Sequence, residues 1–115
     1  MNDAEFDRIA AAELDLLERR LGDFDPDELE VTLASGVLTL AFADGAKVVV
    51  NSHRAAGEIW MADARANVRR AYHFAPEATD RGYRWVVGSD ELRTVLTKVL
   101  SEQLGRTIDL LFADR

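Results

Sequence analysis

The chain has 115 residues, no cysteine and a formal net charge of −7 at pH 7, and 48% of its residues are hydrophobic. This length and apolar content predict one folded domain over residues 1–115 and argue against disorder. The lack of cysteine excludes disulfides, thiolate metal sites and cysteine nucleophiles, and the negative charge argues against nucleic acid as a partner. No apolar run approaches the roughly 20 residues of a membrane span, and the acidic N-terminus is unlike a signal peptide. We therefore expect a cytoplasmic protein that does not bind membranes.

Residues 1–30 carry nearly the whole charge imbalance, with eleven acidic and three basic residues, a net charge of −8. The acidic residues are Asp3, Glu5, Asp7, Glu13, Asp15, Glu18, Asp23, Asp25, Asp27, Glu28 and Glu30. Helical periodicity places Phe6, Ala10, Leu14, Leu17, Leu21 and Phe24 on one apolar arc. It also aligns Asp7, Glu18 and Asp25 on one flank and places Arg8 and Arg19 on the other. Pro26 should end the helix, so that acids from the helix end, the turn and the next strand crowd together.

Alternating apolar residues after this segment predict strands. The expected strands cover residues 30–34, 37–42, 46–51, 58–62, 70–74 and 83–87. Asp44-Gly45 predicts a hairpin with a type I′ turn, which needs positive φ at both central residues. Residues 75–82, which include Pro76, are expected to form a loop.

A second helix is predicted from residue 90 onward, with Ser89 as its N-cap and Gly105 as its left-handed C-cap. The apolar tail at residues 107–112 should pack along a helix. Strands joined by short turns pair antiparallel, and the helices must cover one face of the resulting sheet. We therefore predict an α+β fold, a two-layer sandwich of two helices on one face of a five- to six-stranded antiparallel sheet.

Alternation in the fourth predicted strand separates Ile59 and Met61 from Glu58 and Trp60. Since an unpaired glutamate is costly in a core, the face that bears Glu58 and Trp60 should be the open one. An exposed tryptophan on an open sheet is a candidate binding hot spot. The alternative, that Trp60 is ordinary core and Glu58 an edge residue, fits the pattern equally well.

The sequence has no GxSxG-type context, no phosphate-binding loop and no GxGxxG motif. His53 and His73 lack the spacing of metal ligands such as HExxH, so structural or surface roles are favoured for both. Only carboxylates remain as metal ligands, and these bind hard cations weakly and with little selectivity.

Several stretches resemble the bacterial frataxin family. They are the acidic first helix beginning Met1-Asn2-Asp3-x-Glu5-Phe6, Gly36-Val-Leu-Thr-Leu-x-Phe42, Asp44-Gly45-x-Lys47-Val-Val-Val-Asn51, Glu58-Ile-Trp-Met-Ala62 and Tyr72-His-Phe74. The chain departs from the family pattern at His53 and Ala55, where Gln and Pro are common, and in a longer link between residues 62 and 72.

This resemblance implies a small non-enzymatic protein of iron–sulfur cluster assembly that binds iron (Fe²⁺ or Fe³⁺) weakly through an acidic ridge. It implies docking on a cysteine desulfurase and on the iron–sulfur scaffold protein, and a monomer in the absence of iron. By position, the ridge maps to Asp3, Asp7, Glu18, Asp23 and Asp25, and the partner-facing sheet to Asn51 and Trp60. The alternatives are an acidic protein-interaction module without a metal role and, less favoured, an iron-oxidising enzyme, which would need a pre-formed site.

Overall fold

The first helix, α1, spans Asp3–Leu21 in a computed structural model that describes residues 1–65 and 67–110. The Asn2 side chain caps it by accepting a hydrogen bond from the Glu5 amide at 2.8 Å. Asp3 and Glu5 lie in the first turn and Arg19 and Arg20 in the last, the arrangement that the helix dipole favours. The helix ends at Gly22, four residues before Pro26. Its buried face carries Phe6, Ile9, Ala10, Glu13, Leu14, Leu17 and Leu21.

Seven strands form one antiparallel sheet in the order of the chain. They are β1 (Leu29–Ala34), β2 (Val37–Phe42), β3 (Lys47–His53), β4 (Glu58–Ala64), β5 (Arg70–Thr79), β6 (Gly82–Val87) and β7 (Asp90–Glu91). A single 3₁₀ turn, Arg54–Ala56, joins β3 to β4. The predicted α+β sandwich is confirmed, and the sheet has one strand more than the upper limit expected because Asp90–Glu91 pairs with the end of β6.

The first two hairpin turns differ from each other in their backbone geometry. Between β2 and β3 only Gly45 has a positive φ, of 89°. The Gly45 amide donates to the Phe42 carbonyl, and the Phe42 amide donates to the Ala46 carbonyl. This is the pattern of a turn followed by a glycine bulge, so the type I′ prediction is wrong here. Between β1 and β2, Ser35 and Gly36 both have positive φ, 50° and 77°, as a type I′ turn requires.

Strand β5 continues through residues 75–79, which were expected to be a loop. Its first half pairs with β4 as far as Phe74, and its second half pairs with β6 from Ala75 onward. Pro76, which cannot donate a backbone hydrogen bond, therefore has no β4 residue opposite it. Proline is tolerated at such an edge position.

The second helix, α2, spans Leu92–Leu104. Glu91 caps it, since its carboxylate accepts hydrogen bonds from the Arg93 and Thr94 amides. The predicted cap at Ser89 is wrong, because Asp90 and Glu91 pair with β6 and the helix begins only after them. Gly105 ends the helix with φ 70°, as predicted. Ile108 and Leu110 of the tail are buried, and residues 111–112 lie outside the described ranges.

One hydrophobic core fills the space between the helices and the sheet. Among the residues that the structure describes, this layer contains a buried ion pair between Arg93 of α2 and Glu13 of α1 and another between Arg65 and Asp63 at the end of β4. The first pair joins the two helices. The second joins the sheet to α2, because Arg65 also donates to the Val99 carbonyl and to Glu102. Within the described residues, neither helix is long and apolar enough to cross a membrane.

Candidate functional site

The sheet face opposite the helices carries Trp60. Along β4, Ile59, Met61 and Asp63 are buried, while Glu58 and Trp60, at the alternate positions, are only half-buried. Trp60 is therefore not part of the core, and its face is the open one that the Glu58 argument predicted. The other tryptophan, Trp85, is 1% exposed and packs edge-to-face against Phe6 of α1.

Two histidines enclose the Trp60 ring. His53, at the end of β3, stacks on one side with ring centres 3.7 Å apart and planes 20° apart. His73 of β5 stacks on the other side at 4.2 Å and 13°. Sheet register explains the arrangement, since His73 lies directly opposite Trp60, and His53 lies opposite Glu58, two residues from Trp60 on the same face. The indole is thus held between two parallel imidazoles.

Glu58 also restrains the indole ring, through a hydrogen bond to its N–H group. Its carboxylate accepts a hydrogen bond from the Trp60 Nε1–H at 2.9 Å. With both ring faces covered and the N–H satisfied, the outer edge of the indole is the part left for a partner. Ala62, Ala71 and Ala75 of β4 and β5 are exposed on the same face, and the larger Val49 and Val86 lie opposite Ala62 and Ala75 in the sheet.

Asn51, the second predicted partner-facing residue, pairs with Trp60 across the β3–β4 ladder. It is half-buried, and its side-chain amide donates to the Ser52 carbonyl at 3.3 Å. The Nδ1 atom of His53 is buried and has no hydrogen-bond partner among residues 1–65 and 67–110. Together, Asn51, His53, Glu58, Trp60 and His73 form one polar-aromatic patch, called here the indole patch.

The predicted acidic ridge occupies α1 and the turn that follows it. Asp3, Asp23 and Asp25 are exposed, and Asp7 and Glu18 are half-buried. The Asp25 carboxylate accepts a hydrogen bond from the Asp27 amide at 2.9 Å, which shapes the turn before β1.

Arginines from later segments reach two carboxylates of this acidic region. Arg54 binds Asp7 through both oxygens, with 3.0 Å between Nε and Oδ1. Arg106 binds Glu28, and this hydrogen bond lowers the pKa of Glu28 below its ordinary value. Within residues 1–65 and 67–110, no three acidic or histidine side chains converge on a point where they could hold a metal ion. The ridge is therefore a negatively charged surface and not a pre-formed cage.

The two histidines are the part of the site that the sequence analysis did not assign. Their signal was present in the strand pattern: Asn51, Trp60 and His73 sit at matching alternate positions on three neighbouring strands. Register alone brings them side by side. The sequence pattern did not contain the register between the strands. The register decides whether a histidine lies beside the indole or one residue away from it.

These features define a small α+β sandwich with an acidic first helix and an open, aromatic sheet face. A family model described as a frataxin-like domain matches residues 1–108. Frataxin from Psychromonas ingrahamii, of the CyaY family, has a solved structure that is 21% identical in sequence. It aligns with a TM-score of 0.77 over 96% of this chain and 98% of that one, and so shows the same fold. The chain belongs to the frataxin family.

Membership of this family supports a role in iron–sulfur cluster assembly. The family is generally non-enzymatic, is associated with iron and works with protein partners. No part of the indole patch or of the acidic ridge contradicts that role.

Proposed function

We propose that this protein is an adaptor that regulates iron–sulfur cluster assembly. In this proposal it docks on the cysteine desulfurase and the scaffold protein, presents the indole patch to them, and holds iron weakly through exposed carboxylates. It acts as a monomer when iron is absent, and it catalyses no reaction of its own.

The stacked Trp60 is the observation that carries this proposal. A tryptophan offers a large contact area with few torsions to fix on binding. Here His53, His73 and Glu58 already hold the ring, so that little further freedom is lost when a partner binds. A stacked indole on the open sheet face suits a partner groove that takes the ring edge.

The negative charge of the first thirty residues favours a partner with a basic surface. The net charge of −8 in residues 1–30 is concentrated on α1 and the following turn. Such a field raises the rate of encounter with a positively charged surface, and salt screens it. Docking should therefore weaken as ionic strength rises, mostly through slower association.

Weak iron binding follows from the types and placement of the ligands. Exposed carboxylates are hard oxygen donors, which suit ferrous and ferric iron only with low selectivity when no nitrogen or sulfur ligand joins them. Asp3, Asp23 and Asp25 are exposed, whereas Asp7 would have to leave Arg54 to bind a cation. We assign the metal role to Asp3, Asp7, Glu18, Asp23 and Asp25 as a diffuse surface.

The second candidate function is an acidic protein-interaction module without a metal role. The bidentate Arg54–Asp7 pair favours it, because it neutralises a central carboxylate of the ridge. Both functions share the docking surface, and they differ only in how the acidic ridge responds to iron.

A reconstituted assembly assay tests the proposed role. Cluster formation on the scaffold would be followed by absorbance with desulfurase, cysteine and Fe²⁺, while the concentration of this protein is varied. We expect the initial rate to change in a saturable way near a one-to-one ratio with the desulfurase. A rate that stays constant up to a several-fold excess would contradict the proposal.

An anaerobic Fe²⁺ titration followed by amide NMR separates the two candidates. If the ridge binds iron, shifts should concentrate in residues 3–30 and be reduced in a Asp23→Asn/Asp25→Asn variant, while Asp80→Asn, at an exposed turn elsewhere, changes nothing. If Fe²⁺ and Mg²⁺ act alike, and no more than NaCl at matched ionic strength, the module without a metal role is correct.

A further inference from the structure

Strand β5 changes its neighbour halfway along its length, and this leaves part of one strand edge open. Residues 70–74 pair with β4 on one side, and residues 75–79 pair with β6 on the other. Among the strands that the structure describes, none pairs with residues 70–74 on the β6 side. The sheet therefore forks after Phe74, and β5 separates from β6 there.

The register identifies the backbone groups on this open edge. Thr79 and Gly82 pair across a two-residue turn, so they form a hydrogen-bonded pair in which the N–H and C=O of Thr79 point toward β6. This direction alternates from residue to residue along a strand, so the N–H and C=O groups of Ala71 and His73 point to the same side. Pro76, which has no N–H, falls at the opposite parity, as expected for a proline in a strand.

The backbone groups of Ala71 and His73 face a cavity of about 550 Å³, which separates them from the turn at residues 87–90. Within residues 1–65 and 67–110, no backbone group of that turn donates a hydrogen bond to Ala71 or His73 or accepts one from them. A row of N–H and C=O groups without a partner strand is a template on which another extended chain can add.

The side chains beside this edge are mostly small or apolar. Val87 is 38% exposed and lines the cavity together with Ala71, Gly88 and Ser89. Tyr72 is 8% exposed and lines the cavity too. An extended segment could therefore lie along the edge with a small or apolar side chain against Val87.

The charged groups around the edge nearly cancel. Arg70 and Asp90 line the cavity, and Arg70 stacks on Tyr72 at 4.9 Å. Arg69 is exposed next to it in the sequence. The adjoining cavity on the helix side adds Lys98 and the mutually bound Asp63, Arg65 and Glu102. Four bases against three acids leave a net charge of +1, so recognition here depends on backbone hydrogen bonds and apolar contacts more than on charge.

We propose that the partner that covers the indole patch also places a short extended segment in this gap, called here the β5 fork, and pairs it with Ala71 and His73. His73 joins the two surfaces, because its ring stacks on Trp60 and its backbone lies on the open edge. At about 3.3 Å per residue, a segment of about three to four residues spans positions 70–73. The proposal rests on docking through the indole patch and adds the pairing of strands to it.

Amide hydrogen exchange tests the strand pairing, with the desulfurase and the scaffold protein each used as the probe. In the free protein, the amides of Ala71 and His73 should exchange faster than that of Tyr72, which points toward β4. In the complex, we expect exchange at Ala71 and His73 to slow about ten-fold or more, and exchange at Tyr72 to change far less. Binding measured by calorimetry without slower exchange at either residue would overturn the strand pairing and leave docking intact. If neither probe binds, docking itself fails, and the strand pairing with it.

A proline at position 71 separates backbone pairing from simple coverage of the surface. Ala71→Pro removes an N–H that points away from β4, at an exposed position on a strand edge where proline is tolerated, so the variant should fold. It should weaken binding at least five-fold. Ala71→Ser, the matched control, keeps the N–H and a small side chain and should change the affinity less than two-fold. Equal affinities of the two folded variants would overturn the proposal.

Discussion

The imidazole of His73 lies against the indole of Trp60, with ring centres 4.2 Å apart and planes only 13° apart. His53 repeats the contact on the other side. A ring enclosed in this way is exposed at its edge and ordered before any partner arrives. The open sheet face therefore carries an ordered aromatic stack. The first two predictions concern this stack.

Replacing Trp60 should cost little stability compared with replacing the buried Trp85. Trp60→Ala removes two stacking contacts, each worth about 0.5–1.5 kcal/mol, from a half-buried site. Trp85→Ala opens a cavity beneath α1 and should cost about 3–5 kcal/mol. Urea unfolding of both variants measures the difference. Equal losses would show that Trp60 behaves as core.

His73→Ala should loosen the Trp60 ring without unfolding the protein. In a Trp85→Phe background Trp60 is the only tryptophan, so its fluorescence reports the indole patch alone. We expect emission to move to longer wavelength and anisotropy to fall, while His73→Phe, which keeps a flat ring in place, preserves both. Unchanged emission in His73→Ala would mean that the stack does not order the indole.

The buried Glu13–Arg93 pair should contribute far more to stability than an exposed arginine–glutamate pair. Glu13→Gln removes the carboxylate charge that Arg93 binds through two hydrogen bonds in the layer between the helices, and breaking a buried pair costs about 3–5 kcal/mol. Glu77→Gln, which breaks the exposed pair with Arg84, should cost at most about 1 kcal/mol. Chemical denaturation of the two variants compares these costs directly, and similar values would show that the helix–helix pair is not structural.

Tyr83 should titrate above the ordinary tyrosine pKa of about 10. Its hydrogen bond to Glu5 raises the pKa in the folded state. The stabilisation is therefore fully present below the unfolded pKa and is lost as pH rises through the folded one. Absorbance titration in a Tyr72→Phe background follows Tyr83 alone. Glu5→Gln should lower the midpoint, and a midpoint that does not move would show that the hydrogen bond does not persist in solution.

Strand parity placed Trp60 and Glu58 on one face of β4 and Ile59 and Met61 on the other, but it left open which of the two faces the helices cover. The predicted strand ended at residue 62, whereas β4 continues to Ala64 and its alternation puts Asp63 on the core side. An aspartate at a core position does not fit the alternation of apolar and polar residues unless a basic partner is known. Arg65 becomes that partner only because β4 continues to Ala64. Helix periodicity likewise ordered the acids of α1, but it could not show that Arg54 and Arg106, 47 and 78 residues away from their partners, would reach Asp7 and Glu28.

Segment ends were the least predictable features. The start of α2 was misplaced because Asp90–Glu91 fits a helix N-terminus and a strand equally well, and only the β6 partner decides between them. Pro76 suggested a loop because a proline excludes a central strand, whereas here it lies where β5 has a neighbour on one side only. Both outcomes depend on contacts between distant segments, which local pattern does not contain.

Calorimetric titration of the cysteine desulfurase, alone and with the scaffold protein bound, tests docking through the indole patch most directly. Trp60→Ala should lose about 2 kcal/mol or more of binding free energy, as expected of a central aromatic contact. Thr39→Ala, on β2 of the same open face but outside the patch, should bind as the unchanged protein does. Equal affinity of Trp60→Ala and the unchanged protein, with both shown to be folded, would contradict the account.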